Sequence, residues 1–189
     1  MPLHLSGDLA ADTLLDEDPF ALVVGMLLDQ QMTLEAAFAG PKKLADRMGG
    51  LDVHRIAAAP PDEFEELAAT PPAIHRYPRA MAGRIQELAR LVIDEYDGDA
   101  ANIWRDGDAR TVLKRIEALP GFGKAKARIF LALLGKQRGL AAAGWREASA
   151  PYGDDGTYLS VADIVDKESL AKVREHKKAM KAQARAAKA

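Results

Sequence analysis

The chain has 189 residues, 48% of them hydrophobic, 29% charged and 6% aromatic, enough apolar material for one good core or two small lobes of a soluble globular protein. It contains no cysteine, which excludes a disulfide scaffold, thiolate ligation of zinc or of an iron–sulfur cluster, and a cysteine nucleophile. The net charge of −2 conceals a division: residues 1–100 carry 8 Lys and Arg against 18 Asp and Glu, whereas residues 101–189 carry 18 against 10, and a basic half of this kind suits a polyanionic partner.

Helical spacing dominates the chain, and no alternating strand pattern survives more than a few residues. Asp18-Pro19 reads as an N-cap with proline in the first helical position, followed by an apolar helix from Phe20 to about Gln31 that is hydrophobic all round and therefore central. Its apolar stretch, Phe20 to Leu28, is too short to span a bilayer, and the first residues lack a signal peptide, so the expected location is cytoplasmic, with no membrane partner. Thr33 can cap the next helix, with Pro41 starting a new turn and Gly49-Gly50 closing it. Short pieces over 52–59 and 62–69 are punctuated by Pro60-Pro61 and Pro71-Pro72.

A longer helix is predicted over 79–96, and Asp108 caps one that runs to Leu119. The turn Leu119-Pro120-Gly121-Phe122-Gly123 then leads straight into a helix from Lys124 to about Lys136. Residues 138–157 read as an irregular connection, and Asp166 caps a basic final helix over 167–187. In that helix Leu170, Val173 and Met180 are the residues suited to dock one side.

The turn between the two helices carries most of the functional argument. Its glycines permit positive φ and close approach of another backbone, and Phe122 can pin the turn to the core. The free amides of the turn and of the following helix start would make an anion site, with Lys124 and Lys126 at its rim.

The string Leu119-Pro120-Gly121-Phe122-Gly123-Lys124-Ala125-Lys126-Ala127 resembles the helix–hairpin–helix signature of the HhH-GPD base-excision DNA repair glycosylases, the superfamily of endonuclease III. Upstream, Asp18-Pro19-Phe20-Ala21-Leu22-Val23 and Leu27-Leu28-Asp29-Gln30-Gln31-Met32-Thr33 resemble that family's first core helix and its glutamine-bearing end. More weakly, Tyr77 to Ile85 sits where the family has a short loop leading into a small-residue helix.

The resemblance implies an all-α fold of two lobes with a cleft between them: a single unit over 1–189, a central lobe over about 33–137 that holds the hairpin (109–136), and a second lobe from 1–32 with 138–189. It implies a monomer that binds double-stranded DNA and excises a flipped, damaged or mispaired base, in a cytoplasmic, nucleoid-associated setting. By position Gly121, Phe122, Gly123, Lys124 and Lys126 would hold DNA, and Gln31 would enter the gap left by the base; the alternative for Gln31 is a helix-end residue bonded to backbone. Tyr77, Trp145 and Tyr152 are the aromatics available to a base pocket, although aromatics in such places more often serve core or lid packing. No cofactor is expected beyond a monovalent cation that the family's hairpin commonly holds on backbone carbonyls.

Three departures shape the expectation. Ala125 stands where bifunctional members carry a lysine nucleophile, which points to a monofunctional enzyme. The endonuclease III iron–sulfur cluster is impossible without cysteine. The family's essential aspartate would fall near Gly139–Gly144, which holds no acid; farther on, Asp163 has the right approach, with Asp154 and Asp155 as alternatives. One carboxylate suffices in principle, because cleavage of an N-glycosidic bond builds positive charge on the sugar. The competing expectations are a DNA-binding module without the aspartate and a helical adaptor whose basic last helix binds an acidic protein.

Overall fold

The computed structural model describes residues 2–189 and, among them, no strand. Ten α-helices follow in order: α1 (Leu9–Glu17), α2 (Pro19–Leu28), α3 (Leu34–Met48), α4 (Val53–Ala58), α5 (Pro61–Ala69), α6 (Pro78–Tyr96), α7 (Ala109–Glu117), α8 (Lys124–Gln137), α9 (Trp145–Ala148) and α10 (Lys167–Lys188), with 3-10 turns at Ala100–Ile103 and Val161–Asp163. The all-α expectation is met. α1 and the short α9 had no clear signal in the sequence; α9 interrupts a stretch expected to be irregular.

α2 is the axis of the molecule, as its all-round hydrophobicity requires: Phe20 to Leu28 are buried without exception. Asp18 caps it, accepting from the Phe20 and Ala21 amides at 2.9 and 3.3 Å. α3 crosses α2 so closely that each helix provides a glycine for the other's side chain. A Cβ on Gly25 would stand 2.6 Å from the Phe38 ring, and one on Gly40 would stand 2.4 Å from Leu28. Pro41 does not start a new turn; it lies inside a continuous α3, directly after Gly40 at the crossing.

α4 and α5 pack on α6, α1 packs on α2 and α3, and α7, α9 and the second 3-10 turn pack on α8. One continuous apolar cluster runs from Leu3 through α2, α6 and α8 to Val173 of α10. No described helix is long and apolar enough to cross a membrane.

Candidate nucleic-acid interface

The hairpin turn rests against the C-terminal end of α2. Gly121 takes φ +76°, and a Cβ there would lie 2.5 Å from Leu27 and 3.4 Å from Arg84, so both conformation and space demand glycine. Gly123 differs. Its φ is −96°, and an added Cβ would meet nothing within 4 Å. It caps α8 with no side-chain bond, and among the described residues the amides of Gly123, Lys124, Ala125 and Lys126 find no acceptor. A helix start with free amides and no side chain in front of it is open to an anion.

The residues expected around this site divide. Lys124 is exposed. Phe122 turns inward, 9% exposed and 6.1 Å from the Phe130 ring, so it pins the turn instead of touching a ligand. Lys126 is also not a rim charge. Its ammonium donates to the Met26 and Leu27 carbonyls at 2.8 and 3.2 Å, tying α8 to the end of α2. Burial lowers its pKa to about 8 against the pull of Asp29, which raises it.

Beyond that point the chain leaves α2 through Asp29-Gln30-Gln31. Gln30 is the helix-end residue bonded to backbone: its amide nitrogen donates to the Leu27 carbonyl at 2.9 Å. Gln31 has an exposed side chain without a hydrogen bond, on a residue held at φ +58°, a conformation that few non-glycine residues adopt. The loop is braced by His75, whose Nδ1 accepts from the Tyr77 amide at 2.9 Å and whose Nε2 therefore donates to the Gln30 carbonyl at 2.8 Å. Burial, the larger effect, lowers the pKa of His75.

This loop forms one wall of a groove of about 1150 Å³, and α10 forms the other. Met32, Leu34, Leu159, Leu170 and Val173 supply an apolar lining. Tyr152 lies in the groove with Gln31. The other two aromatic candidates do not. Tyr77 stands outside it, about half exposed beside His75 and Arg76. Trp145 packs flat on α8 in the space left by Gly135, where a Cβ would come within 2.2 Å of the indole.

Asp163 does not share the groove with Gln31. Its side chain is 4% exposed and forms an ion pair with Lys136 at 2.5 Å. The second oxygen accepts from the Leu159 amide at 2.8 Å, Thr157 Oγ1 at 3.2 Å and the Ser160 amide at 3.4 Å. Both oxygens are thus committed to closing the 154–163 loop, on a separate recess lined by Lys136, Thr157 and Lys172. Of the two alternative acids, Asp154 offers its backbone carbonyl to Lys136, and Asp155 pairs with Arg146 on the surface.

The HhH-GPD superfamily base excision DNA repair protein model matches residues 24–188. The chain belongs to the HhH-GPD superfamily. Comparison with curated proteins returns no match. Membership makes this a DNA-binding repair protein of the glycosylase kind, and the matched span takes in the groove and α10 as well as the hairpin. For this HhH-GPD chain, sequence reasoning missed three groups at the end of α2. Lys126 was read as a surface charge, and His75 and Asp29 were not singled out. Only Lys126 carried a signal: one turn into α8 it falls on the side of Phe122 and Phe130, which is buried.

Proposed function

We propose that the protein is a monofunctional DNA glycosylase that grips duplex DNA by the α7–α8 hairpin and hydrolyses the N-glycosidic bond of a base flipped toward the groove between the 29–35 loop and α10. One observation carries this reading: the open amides at Gly123 and the unbonded Gln31 flank the same helix end, because Gly121 and Lys126 both rest on the last turn of α2. A phosphate held at the hairpin would bring the neighbouring nucleotide to the groove. Lys124 supplies charge at the phosphate, Gln31 fills the vacated stack and Tyr152 offers a face to the base. A monovalent cation at the hairpin would rest on the Pro120, Gly121 and Phe122 carbonyls, which accept no hydrogen bond among the described residues; when bound it supplies positive charge toward a phosphate.

Hydrolysis without strand cleavage is favoured because Ala125 has no amine and Lys126, despite its lowered pKa, is occupied by two carbonyls. A second reading, a DNA-binding module without catalysis, is favoured by the commitment of Asp163 to its loop. Incubation with duplexes carrying uracil, hypoxanthine, an alkylated purine or an oxidised guanine separates the two. The expected product is an intact abasic strand from at least one duplex. Binding without excision of any base would establish the module instead, and a borohydride-trapped adduct would show that a lysine acts after all.

A further inference from the structure

The groove contains two carboxylates that the hairpin argument leaves without a role, Asp29 and Glu35. They are not alike. Glu35 is clamped by the Arg174 guanidinium from α10. Asp29 follows directly on the last residue of α2, its backbone held by hydrogen bonds from its amide to the Gly25 and Met26 carbonyls at 3.1 and 3.3 Å. Its side chain is only 14% exposed and accepts no hydrogen bond among the described residues; the nearest cation, Lys177 of α10, is 4.0 Å away. The groove has an apolar lining and, on α10, a basic wall that includes Lys177, Lys178 and Lys181; a carboxylate there whose backbone is fixed and whose oxygens accept no hydrogen bond keeps lone pairs available to positive charge from outside the chain. Asp163, with both oxygens filled, does not.

We propose that Asp29, two residues before Gln31, is the catalytic carboxylate of this groove. The assignment rests on the glycosylase reading above. In the step it serves, the electron pair of the bond between C1′ and the base nitrogen leaves with the base, and the sugar becomes cationic. A water oxygen bonds to C1′ from the opposite face. The water proton passes to Asp29 and from there to the departing base or to solvent, so that charge and atoms balance. Asp29 faces the positive sugar throughout, with Lys177 across the groove at 4.0 Å donating no hydrogen bond to it and Lys126 engaged by the Met26 and Leu27 carbonyls instead.

The test uses the full chain and needs no knowledge of the lesion. Duplexes are prepared with one nucleoside replaced either by a pyrrolidine ring, cationic at neutral pH, or by a neutral tetrahydrofuran ring. The wild type is expected to bind the cationic duplex about tenfold or more tightly than the neutral one, since a group that stabilises the cationic sugar discriminates between them. Asp29→Asn should reduce that ratio to about twofold or less with neutral-duplex affinity unchanged, and Asp29→Ser repeats the measurement should the first variant fold poorly. Asp155→Asn should leave the ratio alone. A ratio that survives in both Asp29 variants overturns the assignment and leaves the glycosylase reading standing. A wild type that prefers neither ring to undamaged duplex overturns both.

Discussion

Two glycines bound the hairpin turn, and their reasons for being glycine differ. At Gly121 the reason is internal: positive φ and contact with Leu27 and Arg84. Gly121→Ala should cost about 1–2 kcal/mol from the left-handed backbone alone, with more from the clash, seen as a lower Tm. At Gly123 nothing inside the chain objects to a side chain. Gly123→Ala should therefore lower Tm by only about 2–4 °C, the cost of alanine at a helix N-cap, while weakening DNA binding severalfold, measured by fluorescence anisotropy at fixed salt and at a temperature where both proteins are folded, because the methyl group obstructs an approaching phosphate. Equal affinity in the two proteins would remove the close approach from the account. Asp163 gives a second prediction at this scale. Breaking a buried ion pair by removing one charge typically costs about 3–5 kcal/mol. Asp163→Asn should accordingly unfold at clearly lower denaturant, and any activity it loses at a temperature where it is partly unfolded reports that instability.

Among the elements, the 29–33 loop and the start of α6 depend on one another through His75. The neutral ring accepts from the Tyr77 amide and donates to the Gln30 carbonyl, and protonation would turn the acceptor into a donor. Because the pKa is lowered in the folded state, the unfolded chain takes up the proton first. The contribution of neutral His75 is then complete above its ordinary value of about 6.5 and is lost as pH falls through that value toward the folded one. The Tm of the wild type should drop more between pH 7 and pH 5 than that of His75→Asn, which keeps an acceptor for the Tyr77 amide but does not titrate. Parallel curves would show that His75 does not couple this loop to pH.

Across the whole molecule, α10 joins parts that are distant in the chain. Val173 is fully buried and Leu170 partly so, Arg174 and Lys177 reach Glu35 and Asp29, and Met180, expected to dock, is half exposed. The helix is therefore anchored to the core by its first half, while its second half is exposed and basic, with Lys181 and Arg185 still bordering the groove. Truncation after Gln183 should leave stability unchanged. Truncation after Asp166 removes the buried Val173 and partly buried Leu170 side chains and should expose the apolar surface they cover, at a cost of about 2–4 kcal/mol in a urea titration. A protein indifferent to the longer truncation would show that α10 is not part of the folded core.

The local record was readable where short-range chemistry decides. The Asp18-Pro19 start of α2, the Asp108 and Asp166 caps and the glycine turn at 119–123 each depend on groups within a few residues, so a single stretch of sequence states them. What tertiary structure decided was which charges stay free. Lys124 and Lys126 are two residues apart and chemically identical, yet one is exposed and the other lies on the carbonyls of a helix nearly a hundred residues earlier. Asp163 had the flavour of a catalytic acid until Lys136 and three donors filled it, whereas Asp29, unremarked at the end of an apolar helix, keeps its oxygens open. The physical reason is that whether a charged group is open to a ligand depends on partners brought to it by distant segments; helical spacing can mark a buried face, as at Lys126, but does not name those partners.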